Sequence, residues 1–227
     1  MEIIVFEGTD GSGKQTQSTK LVEYLKAHGK KVVLQSFPNY ESPSSTLVKL
    51  YLNGDFGDDV NCLDAYQTST LFAVDRLYTM KKLLKTLSDD TVLILDRYVE
   101  SNMIHQASKI DDKQERDKFL NWVYDFEFNV LKLPKPTKTI FLDMPFECSI
   151  KLKKERNLNK SGTEKDIQEL DENHLKRAYN SAKYVSKKYN WIEIRCEKNG
   201  QIKTIEQIGE DVLKALNLKI DTQEKEF

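Results

Sequence analysis

An open, mostly parallel sheet of five strands with helices on both faces is the α/β architecture that this sequence predicts, and two patterns predict it. The strand-like runs are continuously apolar rather than alternating, which suits strands buried on both faces. They also alternate with helix-length stretches, as strands joined by helical crossovers do. In chain order, residues 3–7 form the first strand, and a glycine-rich turn leads into a helix over residues 14–28 that Gly29 closes as a left-handed cap. Val32-Val33-Leu34 is the second strand. Residues 63–87 carry apolar side chains at helical spacing (Leu63, Tyr66, Leu71, Val74, Leu77, Leu84), and residues 91–95 form the third strand, ending at Asp96. A helix over residues 113–131 stops before Leu133-Pro134-Lys135-Pro136, where two prolines oppose helix. Residues 139–142 and 191–194 are the fourth and fifth strands, with helices over 164–188 and 204–216. The tail, residues 219–227, is charged without an apolar face and reads as frayed, which leaves residues 1–218 as one domain.

Composition narrows the partners. Of 227 residues, 35 Lys and Arg nearly cancel 36 Asp and Glu, so no global field draws the chain to nucleic acid or to an anionic membrane. Apolar runs such as Val92-Leu93-Ile94-Leu95 fall far short of the ~18–20 residues that span a bilayer. The chain opens on a strand with no basic leader region, and its three cysteines (Cys62, Cys148, Cys196) are scattered without a CxxC pair. A soluble, cytoplasmic protein without disulfides or structural zinc is expected.

In parallel sheets of this kind, ligands bind beyond the carboxyl ends of the strands. There, Gly8-Thr9-Asp10-Gly11-Ser12-Gly13-Lys14 follows the first strand and precedes a helix. Small residues let successive N–H groups turn inward onto phosphate oxygens, the helix N-terminus adds its dipole, and Lys14 supplies a point charge. The loop departs from the usual P-loop pattern, because Gln15 stands where a hydroxyl would ligate Mg²⁺. The metal is left to Thr16, to Asp10 or mainly to water. A guanine-reading N/T-K-x-D motif is missing, since Asn159-Lys160-Ser161-Gly162 lacks the aspartate. Asp96, suited to orienting Mg²⁺, is followed by Arg97 and not by a carboxylate that could activate water. Transfer to an anionic acceptor is therefore expected, not hydrolysis.

Four further segments point to that acceptor: Phe37-Pro38-Asn39-Tyr40; Phe72 and Arg76, four apart on one helix face; Asp96-Arg97-Tyr98 with Ser101-Asn102 and His105-Gln106 soon after; and Leu133-Pro134-Lys135-Pro136. With the phosphate loop, in this order, they resemble the thymidylate kinase family over about residues 2–216. The resemblance implies a three-layer P-loop kinase fold with a short lid near residues 146–165, and transfer of the γ-phosphate of ATP to dTMP with Mg²⁺. Gly8, Thr9, Gly11, Ser12, Gly13, Lys14, Gln15 and Thr16 would hold ATP. Phe72 would stack on thymine, Arg76 would donate to its carbonyl edge, and Asn102 would read the same base with Gln106 close by. Phe37 and Pro38 would shape the wall, Arg97 and Tyr40 would hold the monophosphate, and Asp10 would sit between the sugar 3′-hydroxyl and the metal-bridged phosphates. His105 stands where many relatives carry tyrosine, so a base contact, a sugar contact and a solvated loop all stay open. On a plainer reading, Arg76 beside Asp75 and Arg97 beside Asp96 are ion pairs.

The family takes a catalytic arginine from the phosphate loop or from the lid. Gly11 follows Asp10 here, so Arg156, the one arginine in the basic run of residues 151–165, is the candidate. Catalysis then means positioning and charge neutralisation by Lys14, Arg97 and Arg156. Glu169, beside Asp166 and Asp171, would reach the metal through water, although these acids also suit a helix start. A homodimer is implied by the resemblance alone. The alternatives are a kinase for another nucleoside monophosphate or a deoxynucleoside, and a P-loop protein that binds nucleotide without turnover.

Overall fold

Successive residues of the first strand, β1 (Glu2–Glu7), point to opposite sides of the sheet and so divide the apolar side chains between two cores. Ile3 and Val5 join Leu93, Leu95, Phe119 and Val123 on one face, while Ile4 and Phe6 join Leu21, Ile94, Leu142 and Val212 on the other. The computed structural model describes residues 1–158 and 172–220, with side chains outside 153–172. Beside β1 the sheet holds β2 (Val32–Ser36), β3 (Val92–Asp96), β4 (Lys138–Asp143) and β5 (Ile192–Arg195), in the order β2-β3-β1-β4-β5 with every neighbouring pair parallel. Burial on both faces explains why β1, β3 and β4 read as unbroken apolar runs, while the edge strands β2 and β5 are only partly buried.

The helices are α1 (Lys14–Ala27), α2 (Thr46–Leu52), α3 (Ala65–Leu83), α4 (Val99–His105), α5 (Lys113–Tyr124), α6 (Phe146–Leu158), α7 (Glu172–Lys188) and α8 (Ile205–Ala215). Residues of α1 and α8 pack on one face of the sheet; α3, α4, α5 and α7 supply the other. In register, Phe6 lies beside Asp96 and Glu7 beside Phe141, so the carboxyl ends of β1, β3 and β4 meet along one edge. β1 lies between β3 and β4, with β2 and β3 on one side and the later strands β4 and β5 on the other, a switch in strand order that opens a crevice at that edge.

Local signals set most boundaries. Gly29 adopts φ 71° and closes α1 as expected. The helix expected over residues 63–87 is shorter, because Asp64 and Gln67 form a reciprocal capping box at its start. The helix expected over 113–131 is α-helical only to Tyr124 and continues as a π turn, Asp125–Val130. Of the helix expected over 164–188, residues 164–171 lie outside the described residues; so does the tail beyond residue 220. The lid region begins as α6, and residues 159–165 lie outside the description. Three elements were not expected: α2, α4, and a hairpin of β6 (Glu197–Lys198) and β7 (Gln201–Ile202).

Candidate active site at the carboxyl ends of the strands

Gly8 needs to be glycine for two reasons. Its φ is 152°, and a Cβ there would stand 2.9 Å from the carbonyl oxygen of Leu142 on β4. The loop then turns through Gly11 (φ 81°) and Gly13 (φ 87°) into α1. No side chain caps α1, so the N–H groups of its first turn are left for an anion. Lys14 folds back over the loop, its Nζ donating to the carbonyls of Gly8 and Thr9, both at 2.9 Å. Burial, then the charge of Arg97, lowers its pKa to about 8. Ser12 is buried with an unpartnered Oγ, whereas Gln15 and Thr16 are exposed.

A cleft of about 160 Å³ adjoins this loop. Asp10, Phe37, Pro38, Tyr40, Phe72, Arg76, Arg97, Asn102, His105 and Gln106 all line it, together with Leu52, Tyr98 and Ser101. The ten residues assigned to the acceptor are therefore in one place, but the Leu133–Pro136 segment is not: Lys135 and Pro136 line a separate pocket beside Trp191. Gln106 is almost fully buried, and its Oε1 lacks a partner.

Arg97 joins the loop to the cleft. It follows the last residue of β3 with φ 67°, a left-handed conformation that a non-glycine residue adopts at some cost in strain, and such strain gathers at functional positions. Its Nη2 donates to Asp10 Oδ1 of the phosphate loop. Its Nη1 donates to Ser101 Oγ at 3.3 Å and to His105 Nε2 at 3.1 Å. An arginine can only donate, so Nε2 accepts and the imidazole proton sits on Nδ1, which has no partner. Burial, and then Arg97, holds the pKa of His105 well below its ordinary value, so the ring stays neutral. Burial works against the charge of Arg97 too, but Asp10, Glu7 and Asp96 outweigh it and keep the guanidinium protonated.

Neither arginine pairs with its sequence neighbour, which corrects the plainer ion-pair reading. Arg76 makes a bidentate pair with Glu127, Nε to Oε2 and Nη2 to Oε1, both at 2.6 Å. Asp75 instead accepts from the backbone N–H of Asn39 and from Ser44 Oγ, tying the Phe37–Tyr40 segment to α3. Asn102 donates to Glu127 Oε1 at 2.8 Å and to the Ser69 carbonyl at 3.1 Å.

Beneath the site lie three buried carboxyls that the sequence did not single out. Glu7 accepts from the N–H of Tyr98 and from Ser101 Oγ, both at 2.9 Å, and burial raises its pKa. Glu100 is raised to about 8 by burial and then by the charge of Glu7, so it keeps its proton at neutral pH. Glu127 is the third. Each is a lone acid on an otherwise apolar face, and that is the only trace it leaves in the sequence.

For a metal, the donors are oxygens. Asp10 and Asp96 both act on Lys14, and Asp96 Oδ1 is buried without a partner. No cluster of three or more metal-binding side chains exists among the described residues. One or two carboxylates beside a phosphate cradle fit a hard ion such as Mg²⁺, which keeps most of its water and is held largely by substrate phosphates. Thr16 is within the first turn of α1 and Glu169 lies outside the described residues. Arg156 belongs to α6, with its side chain outside the description.

A strand–loop–helix phosphate cradle sharing a charged wall with a second cleft is the arrangement of a P-loop nucleoside monophosphate kinase, a phosphotransferase. Comparison with known proteins narrows the class. The thymidylate kinase family profile matches residues 6–207. The thymidylate kinase of Mycobacterium tuberculosis is 32% identical over 170 residues, covering 74% of this chain and 78% of the relative. That of Caldicellulosiruptor saccharolyticus is 30% identical over 217 residues, covering 95% and 96%. A solved thymidylate kinase structure from Candida albicans shares the fold, with a TM-score of 0.69 at 22% identity over 95% of this chain and 91% of that one. The chain belongs to the thymidylate kinase family.

Proposed function

We propose that the protein transfers the γ-phosphoryl group of ATP to dTMP, giving dTDP for DNA precursor synthesis. The observation that carries this reading is the pairing of Asp10, in the donor loop, with Arg97, in the acceptor cleft. A triphosphate on the loop and a monophosphate on Arg97 would meet at that pair, end to end, as in-line transfer requires.

In this reading Gly8, Thr9, Gly11, Ser12, Gly13, Gln15 and Thr16 wrap the donor phosphates, with Lys14 leaving its carbonyls for them. Asp10, with Thr16 or Asp96 and with Glu169 through water, would hold Mg²⁺, which would supply neutralisation of phosphate charge. Phe72 stacks on the base, Arg76 and Asn102 read its edge, Phe37 and Pro38 form the wall, and Gln106 offers its unpartnered Oε1. Arg97 and Tyr40 take the acceptor phosphate; Tyr40 lines the cleft and is 48% exposed. Arg156 comes from the lid to the moving phosphoryl group, and closure excludes water.

A homodimer is supported by α3, where Tyr66, Val74 and Tyr78 form an exposed apolar stripe at helical spacing. Its three free cysteines support a reducing, cytoplasmic setting. No helix among the described residues is long and apolar enough to cross a membrane, and nearly balanced charge argues against nucleic acid as a partner.

Coupled ADP release with ATP and Mg²⁺ tests the reading across dTMP, dUMP, dCMP, dGMP, thymidine and no acceptor. Turnover should be strongest with dTMP. A preference for another acceptor would overturn the cleft assignment, and no acceptor-dependent turnover would overturn the kinase.

A further inference from the structure

We propose that Glu127 is the positioning residue that sets the hydrogen-bonding polarity of the base-reading edge, and with it the choice among pyrimidines. The inference rests on the dTMP reading above and deepens it. Glu127 is completely buried on the π turn that follows α5, a distortion that recurs at functional sites. Its carboxylate grips the two side chains that face the base. Oε2 takes Arg76 Nε, while Oε1 takes both Arg76 Nη2 and Asn102 Nδ2.

The consequence for Asn102 is a matter of bond chemistry. An asparagine amide can be turned over with almost no change of shape, exchanging a donor for an acceptor. Here the two groups within reach of Nδ2 are the Ser69 carbonyl and the Glu127 carboxylate, and both only accept. The nitrogen is therefore committed to the protein, and Oδ1 is the part of Asn102 left for a ligand in the cleft. Arg76, with Nε and Nη2 committed in the same way, has Nη1 left to donate. One donor beside one acceptor matches a pyrimidine with a carbonyl at C4 and an N–H at N3, as in thymine and uracil. Cytosine, with an amino group at C4 and a bare N3, presents the opposite pair and would leave both protein groups unsatisfied.

The test is Glu127→Gln, which keeps the size but replaces one acceptor atom with a donor. With the new amide nitrogen at the Oε2 position, Arg76 Nε loses its acceptor; with it at the Oε1 position, Arg76 Nη2 and Asn102 Nδ2 both lose theirs and Asn102 is freed to turn over. Steady-state kinetics would be compared for wild type and E127Q with dTMP, dUMP and dCMP. The KM for dTMP should rise about tenfold or more, and the dTMP-over-dCMP ratio of kcat/KM should fall by about tenfold or more, with the KM for ATP unchanged. A purely structural role would reduce the amount of active enzyme and leave those ratios alone, and that result would overturn the inference. Wild-type enzyme that does not use dTMP would overturn the underlying reading instead. Should E127Q fail to fold, the wild type still decides. The side-chain amide protons of Asn102, assigned by NMR through their loss in Asn102→Ser, should exchange slowly and keep their shifts when dTMP is added. Fast exchange, or a large shift on binding, would overturn the inference.

Discussion

The two halves of the site recognise charge by different means. The donor loop uses main chain: glycines at φ 152°, 81° and 87°, an uncapped helix start, and a lysine parked on two carbonyls. The acceptor cleft uses side chains already bound to one another, Arg97 to Asp10 and Arg76 to Glu127. A backbone cradle accepts any triphosphate that fits its curvature. A cleft of pre-paired side chains is selective, because each group arrives oriented and with a fixed donor or acceptor left over. Damage to the loop should therefore fall on the chemistry, and damage to the cleft on the choice and affinity of acceptor.

The largest expected effect is on the donor side. Lys14→Ala should lower kcat by about a hundredfold or more, since it removes a preorganised positive charge from the transferring phosphates. Calorimetric dTMP affinity should hardly change; a parallel loss of dTMP binding would break the contrast between the halves. On the acceptor side, Phe72→Ala should weaken dTMP by about tenfold, the scale of one lost base–aromatic stack, with the KM for ATP unchanged. Equal loss for both nucleotides would show that α3 serves both halves.

The smallest effect concerns the floor that both halves share. Glu100 has a folded-state pKa of about 8, above its ordinary 4.5. A raised carboxyl pKa stabilises the fold fully below the ordinary value, and that contribution is lost as pH rises through about 8. The wild-type Tm should fall between pH 5 and 9 relative to that of Glu100→Gln, whose side chain has no proton to lose. Parallel Tm curves would mean that Glu100 is ionised throughout.

The same contrast explains what the sequence disclosed. The phosphate loop is one contiguous stretch with a recognisable spacing, so its place after β1 and before α1 was readable directly. Unbroken apolar runs likewise marked β1, β3 and β4, because burial on both faces leaves few polar positions to interrupt them; the edge strands β2 and β5 are only partly buried, and Glu193 interrupts β5. The cleft draws on segments from Asp10 to Gln106, and only their order, through a family resemblance, brought them together. Its supports escaped altogether. Glu127 holds an arginine 51 residues away, and Glu7 holds a backbone N–H 91 residues away. Nothing local marks an acid whose partner is that distant. α4 escaped for a related reason: Glu100, Asn102 and His105 are buried among Val99, Met103 and Ile104 in a helix of two turns, so polar residues break the apolar period. The π turn shifts the helical phase after Tyr124, which periodicity alone reads as more α-helix.

On the proposed reading, the Asp10–Arg97 pair would also govern which anions the resting enzyme ignores. Any phosphate that reaches Arg97 meets a guanidinium already held by a carboxylate of the same chain. Such a tethered rival acts at an effective concentration of about millimolar or higher, so a small free ion gains little by displacing it. A nucleotide brings a second anchor at the base end of the cleft and can win that exchange. On the proposed reading the internal ion pair would work as a built-in competitive inhibitor, which inorganic phosphate would have to displace alone and a nucleoside monophosphate would not.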